Sequence, residues 1–361
     1  MNISSSLISE AASCYKEKQN SYFFMNNYHK ERNKFAADII ASNNINISAD
    51  NISIASNGTS AIFISILSIK HKHNISNVLL ISPTYFTNIN VIELLRMNLH
   101  YHQVDIFGDK KFGFDEIRKN IINNKIDLII ITDPLFGMGL SISKTDYDSI
   151  INIANEFGIW IIIDYIYGGM EWNLPVNVVN GYLIENVVNY QKIIIIESIS
   201  KRLFLNGIKF SIIYSNANII CTIEELSESF IGSSSYVQNE LFTQIYEPSN
   251  VPVVIEQIKK NIEFTKQTFC NVKSALLGTD AFLTSCDSGY FALLGIPIHR
   301  LNKLSGNKAA VAILDRVNIL TIPHSRYLFK DKRYYFFRIN LSMNRELLLL
   351  NINKLSDSYL Y

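Results

Sequence analysis

The chain has 361 residues, 48% of them hydrophobic, and a formal net charge of +1. Such a length exceeds what one compact core usually holds, so two domains, one large and one small, are expected. No basic stripe, acidic tail or charge block is present, which argues against nucleic acid or an anionic membrane surface as partner, and no apolar run reaches the ~20 residues of a membrane span.

Residues 1–44 carry helical patterns and are expected to pack with the smaller domain. Residues 45–244 then alternate short apolar runs with amphipathic ones. NVLLISP (77–83) reads as a strand, VIELLRM (91–97) as a helix and HYHQVDI (100–106) as a strand. FDEIRKNIINN (114–124) is helical, IDLIIITDP (126–134) a strand, and KTDYDSIINIANEFG (144–158) an amphipathic helix ending at a glycine. IWIIIDYIYGG (159–169), KIIIIES (192–198) and IKFSIIYS (208–215) follow as isoleucine-rich strands. Near-continuous apolar strands with helices between them predict an α/β fold whose mostly parallel sheet is covered on both faces. From 245 to 361 the texture changes. A long helix over 251–276 leads into GYFALLGIP, the helix AVAILDRV, and the strand-like NILTIP and RYYFFRINLS, which suggests a smaller α+β domain.

The four cysteines, Cys14, Cys221, Cys270 and Cys286, form no C-x-x-C pair and no zinc-ligand spacing with histidines. With no leader pattern at the start they read as reduced thiols of a cytoplasmic protein, and no metal site is expected. The Asn-x-Ser triplets at Asn46, Asn51 and Asn74 read as a by-product of asparagine richness.

Open α/β sheets bind ligands at the carboxyl ends of their strands. In IASNGTSAIFISI (54–66), Gly58 permits a tight turn, and Thr59 and Ser60 open a helix. Both an ordinary N-cap and an anion site for phosphate fit that pattern. Tyr85, past a strand and a proline turn in SPTYF, is placed either to stack on a planar ligand or to fill the core. Asp164 ends a strand so hydrophobic that its carboxylate needs a cation or a strong donor, unless it caps the next turn. Tyr167 lies three residues on. Lys201 follows the next apolar run, with Gly207 and Lys209 beyond it, and Arg338 sits in the alternating strand FFRIN. An inward arginine suits a carboxylate, bidentately; a surface arginine is the default reading. His324 and Arg326, in TIPHSRY, fit either a pocket rim or a surface turn. Together the set describes a ligand with a phosphate, a flat ring whose nitrogen an aspartate keeps protonated, and a carbonyl that a lysine traps: pyridoxal 5'-phosphate, with a substrate carboxylate beside it.

These residues resemble the class I/II aminotransferases of the fold-type I pyridoxal phosphate superfamily, in the family's order from about residue 22 to 342. The strongest motif, S-x-S-K-x5-G-x-R-x-G, is matched by Ser198, Ser200, Lys201, Gly207, Lys209 and Ser211. The resemblance implies that Lys201 is the Schiff-base lysine and that Ser198 helps hold the phosphate, with Lys209 where the family has an arginine. It pairs Asp164 with the pyridine nitrogen and Tyr167 with the ring hydroxyl. Gly58, Thr59 and Ser60 become the phosphate turn, Tyr85 the stacking aromatic and Arg338 the holder of the substrate carboxylate. Tyr22, ten positions before Arg32, corresponds to the tyrosine that reaches the neighbouring subunit's phosphate, which implies a homodimer with shared sites; a buried aromatic of an N-terminal helix accounts for it equally well.

Departures from the family bear on the reaction. Phe136, in Asp133-Pro134-Leu135-Phe136-Gly137-Met138-Gly139, replaces an asparagine that donates to the ring hydroxyl and helps position substrate. Tyr167 is then left as the sole donor, and the lysine–cofactor imine is expected to keep its proton to higher pH than in members with the asparagine. Lys209 exchanges a bidentate fork for a point charge, and Ser211 replaces a glycine. The expected activity is amino-group transfer between an amino acid and a 2-oxo acid. The alternative keeps the cofactor but ends in elimination, cyclisation, decarboxylation or oxidation in specialised biosynthesis. A further reading is a pyridoxal phosphate-binding protein without turnover.

Overall fold

Seven strands form the large sheet, β4 to β6 from isoleucine-rich runs: β1 (Ile52–Ala55), β2 (Asn77–Ser82), β3 (Asn98–Gln103), β4 (Leu128–Thr132), β5 (Trp160–Tyr165), β6 (Ile193–Glu197) and β7 (Ser211–Tyr214). They lie in a computed structural model that describes residues 3–18, 34–39, 45, 47–107, 112–205, 207–232 and 235–360. Tyr22 lies outside the described residues. The sheet order is β1-β7-β6-β5-β4-β2-β3. β2 pairs in parallel with β3 and β4, β4 with β5, and β5 with β6, while β7 is antiparallel to both its neighbours. The expected mostly parallel α/β sheet is therefore present.

Side chains alternate across a strand, so each run of isoleucines feeds two cores. Leu79, Ile81, Ile129, Ile131, Ile161 and Ile163 enter one. Val78, Leu80, Leu128, Ile130, Trp160 and Ile162 enter the other. Helix Gly58–His73 covers the second face with Ile62, Ile66 and Ile69, and helix Lys144–Phe157 covers the first with Ile150 and Ile153. Each such side chain contributes about 1.5–3 kcal/mol by leaving water. The boundaries of helix Lys144–Phe157 are chemical. The Ser143 hydroxyl accepts from the Asp146 N–H at 3.1 Å, and Gly158 closes the helix in the left-handed region at φ 62°.

Strands β8 (Phe282–Leu283), β9 (Phe291–Pro297) and β10 (Tyr334–Asn340) form a second, antiparallel sheet in the order β10-β9-β8. Tyr335, Phe337 and Ile339 face a third core shared with helices Val251–Ala275, Gly306–Val317 and Arg345–Tyr359. Phe336 belongs instead to the first core of the large sheet. By alternation Arg338 emerges on that same side. Helix Ile3–Lys18 packs on helices Tyr236–Tyr246 and Val251–Ala275, and the expected boundary at 244/245 falls inside the first of these two.

Several expected strands are shorter than their runs, and one is missing. The 159–169 run stops at Tyr165, because Gly168 and Gly169 turn the chain away, Gly169 at φ 75°. NILTIP (318–323) makes only one described bridge, Pro323 to Phe337. Asn318 sits in the left-handed region as the cap of the preceding helix, and Pro323 has no N–H to give a ladder. No described helix is long and apolar enough to cross a membrane.

Candidate active site

The segments that follow β1, β2, β4, β5 and β6, and the one that precedes the antiparallel β7, all emerge at one edge of the sheet. An open cleft of about 490 Å³ there brings together Gly58, Thr59, Tyr85, Phe136, Asp164, Tyr167, Lys201 and Lys209, with Asn57 and Ile166 between them. Eight of the residues singled out in the sequence thus share one cavity, although the first and last are 151 residues apart in the chain (58 and 209).

Asp164 lies on the same face of β5 as Trp160 and Ile162 and is 2% exposed. Its carboxylate accepts one backbone N–H, from Ile166 at 3.3 Å, and none of the described ion pairs includes it. Burial pushes its pKa up to about 7, so without a cationic partner the group is half protonated near neutrality. Lys201 is half-buried in the short helix Ile199–Arg202, its Nζ 5.5 Å from the centre of the Tyr167 ring. Burial lowers its pKa, and the neighbouring charges of Lys209 and Arg338 lower it further. Each effect favours the neutral amine, which is the nucleophile and the base. The Tyr167 phenol is pushed up to about 12, mainly by burial, so it remains a proton donor at neutral pH.

At the other end of the cleft Asn57, a residue the sequence reading passed over, is the N-cap. Its side chain accepts from Ser60 N at 2.9 Å, while Ser60 Oγ accepts from Asn57 N at 3.2 Å. This capping box employs the Ser60 hydroxyl, and Ser60 does not line the cleft. The N–H groups of Gly58 and Thr59 have no acceptor within the helix, and both residues do line it, beside Lys209. A β-carbon on Gly58 would fall 2.1 Å from Ile166 Cδ1, so glycine lets the turn lie directly on the floor of the site. The result suits a phosphate: free N–H groups at a 16-residue helix N-terminus with a lysine beside them.

Ser198 stands apart from the cleft. It is 2% exposed, and its hydroxyl donates to the Phe210 carbonyl at 2.6 Å and contacts Ser200 Oγ at 2.6 Å. Ser211, the glycine replacement, is buried with no described partner for its hydroxyl.

Arg338 approaches from β10. Its guanidinium carbon lies 4.5 Å from the Phe291 ring centre and 5.2 Å from that of Phe136. No described hydrogen bond or ion pair employs the guanidinium, so its donors are available to a ligand. Phe136 is 2% exposed and touches Tyr85 (5.2 Å between ring centres) and Tyr327 (5.1 Å) as well. Where a donor would stand, this chain has an aromatic wall that holds the arginine by cation–π contact. His324 is not on the rim. It is buried among Phe329, Tyr335 and Phe336, and its Nδ1 accepts from Phe336 N at 3.0 Å, whereas Arg326 is exposed. Sequence reasoning also missed Tyr290, whose hydroxyl donates to the Lys201 carbonyl, and Phe291. Both come from a loop and strand some 90 residues after the lysine, and no local pattern marks them.

A family described as aminotransferase class I and II matches residues 6–354. A 1-aminocyclopropane-1-carboxylate synthase of Solanum lycopersicum is 25% identical over 146 residues, 39% of this chain and 31% of that relative. The chain likewise spans less than half the length of the other plant synthases it matches. Among solved structures, a methionine aminotransferase of Escherichia coli has a TM-score of 0.81 at 14% identity, over 97% of this chain and 89% of that one. A C-S lyase of Staphylococcus hominis has a TM-score of 0.80 at 16% identity, over 98% and 85%. At these identities the structural likenesses establish the fold.

Proposed function

This chain belongs to the class I and II aminotransferases, enzymes that work with pyridoxal 5'-phosphate, and from that premise we propose that it moves an amino group between an amino acid and a 2-oxo acid. The observation that carries the reading is the pairing, in one cleft, of a half-buried lysine of lowered pKa with a buried aspartate that has no described cation.

When bound, the cofactor supplies an aldehyde for primary amines and a ring that draws electrons from the substrate Cα. The residues present fit it. Asp164 takes the ring N–H, Tyr167 donates to the ring oxygen and Tyr85 covers the ring. Gly58, Thr59 and Lys209 take the phosphate, with Ser60 and Ser198 acting through the hydrogen bonds that shape the turn and the lysine segment. Arg338 holds the substrate carboxylate, and Phe136 fixes the arginine's plane. Lys201 Nζ takes the proton from the substrate Cα and returns it during the reaction, as base and then acid. The proposal includes a division into an N-terminal segment (1–44), a large domain (45–244) and a small domain (245–361). It also includes a cytoplasmic homodimer with Tyr22 serving the neighbouring site. Family members are generally dimeric, and Cys221, Cys270 and Cys286 stand outside any disulfide.

A second reading is favoured by Phe136. Without the asparagine donor the same residues support elimination, cyclisation, decarboxylation or oxidation, and similar proteins include a synthase and a lyase. The discriminating experiment incubates cofactor-loaded protein with a panel of amino acids. Stoichiometric 2-oxo acid and aminated cofactor support transfer. Ammonia, carbon dioxide or oxygen uptake without them supports the second reading and sinks the first.

Two expected outcomes arise here. Arg338→Gln should raise KM for the amino acid roughly 10- to 100-fold, the loss of a charge-assisted pair, with little change in cofactor content. In Phe136→Asn the bound cofactor's visible absorption should titrate at lower pH than in the wild type, because the amide returns a donor to the ring oxygen. An unchanged titration curve would show that the asparagine position does not reach that oxygen.

A further inference from the structure

Arg202 directly follows Lys201, yet the two side chains line different cavities. Arg202 is completely buried, a rare setting for an arginine. Its donors are nevertheless distributed over three separate segments. Nε donates to the Gly168 carbonyl at 2.7 Å, and Nη1 to the carbonyls of Val178 at 2.9 Å and Asn177 at 3.3 Å. Nη2 donates to Glu197 Oε1, which is equally buried at the end of β6. The approach is shaped for it. Gly169 stands at φ 75°, and a β-carbon there would fall 2.4 Å from the guanidinium carbon. The backbone is held as well, since the Arg202 carbonyl accepts from Asn261 Nδ2 at 2.7 Å and the Lys201 carbonyl from the Tyr290 hydroxyl.

The Gly168 carbonyl belongs to the turn that begins at Tyr167. The arginine fork therefore ties the helix bearing Lys201 to the segment bearing the phenol beneath its amine. Resting on the function proposed above, we infer that Arg202, braced by Glu197, is a positioning residue that fixes where Lys201 Nζ stands over the Tyr167 ring. A lysine could keep the charge opposite Glu197, but it has one short point of attachment and cannot reach three segments at once. Because reacting groups lose rate steeply with small misplacements, loss of the fork should reach chemistry before it reaches substrate binding.

The test compares the wild type with Arg202→Lys and the double variant Glu197→Leu/Arg202→Met, each loaded with pyridoxal 5'-phosphate. The double variant removes both members of the buried pair, so no orphaned charge is left to unfold the protein. For each protein three quantities are read: borohydride-fixed cofactor on Lys201, the visible circular dichroism of the bound cofactor, and kcat and KM for one amino acid substrate. The expected result is cofactor still fixed on Lys201, an altered dichroism band, and kcat lower by roughly 10- to 100-fold at a KM near the wild-type value, in both variants. Unchanged dichroism and kcat in a folded double variant would overturn this inference alone. Absence of fixed cofactor on the wild type would overturn the parent reading and this one with it.

Discussion

Lys201→Ala is expected to lower turnover by about 10⁴-fold or more, the upper range for loss of a positioned proton-transfer group, and to abolish borohydride fixation of cofactor on the protein. The fold should survive. Lys201 is half-buried in a four-residue helix that Arg202 and the Tyr290 hydroxyl hold through other atoms, and alanine is a good helix former. Lys209 and Arg338 are the charges nearest in effect to Lys201, and they help keep its amine neutral. Lys209 also lines the cleft, so it is the amine best placed to substitute if the assignment is mistaken. Mass spectrometry of the reduced protein decides the matter: cofactor mass retained on Lys201→Ala, at Lys209 or elsewhere, would show that Lys201 is not the attachment point.

The second large effect has opposite signs with and without cofactor. In the cofactor-free protein Asp164 has its pKa raised from 3.8 to about 7 by burial. The folded state thus binds a proton more tightly than the unfolded chain, and stability falls as pH rises from about 4 through about 7. Asparagine has the same shape and does not titrate. Asp164→Asn should therefore stabilise the cofactor-free protein at pH 8 by up to about 4 kcal/mol, and the gain should fade toward pH 4. With cofactor present the carboxylate has a cationic N–H to meet, and the variant should bind pyridoxal 5'-phosphate about 10- to 100-fold more weakly, as expected for a lost charge-assisted bond. Urea unfolding at pH 5 and pH 8, with and without cofactor, measures both arms. A variant no more stable than wild type at pH 8 without cofactor would mean that burial does not raise the Asp164 pKa as stated.

How far the sequence could be read depended on whether a signal was local. The β4, β5 and β6 runs are so rich in isoleucine that both faces had to be buried, and a sheet covered on both sides by helices follows from that alone. Lys201, Asp164 and Gly58 stood out because each interrupts an apolar pattern at a strand end. Where a feature depended on a distant partner, the reading stopped. NILTIP has strand-like composition but meets β10 at one described bridge only, Pro323 to Phe337. His324 fitted a pocket rim or a surface turn equally, and neither holds because three aromatic rings from 329–336 close around it.

By itself, then, the order of residues determined the fold class and singled out the amine and the acid that share one cleft at an edge of the sheet, because hydrophobic period and strand ends are properties of neighbours in the chain. Only the tertiary structure decided that Ser198 is turned away from the cleft, that Phe136 and Phe291 flank Arg338, and that Arg202 locks three segments behind Lys201. Those outcomes depend on which carbonyls and rings meet across gaps of 12 to 202 residues, Ser198 to Phe210 being the shortest and Phe136 to Arg338 the longest. Contacts of that kind are set by how the packed layers come to rest against one another, and no stretch of the chain records them locally.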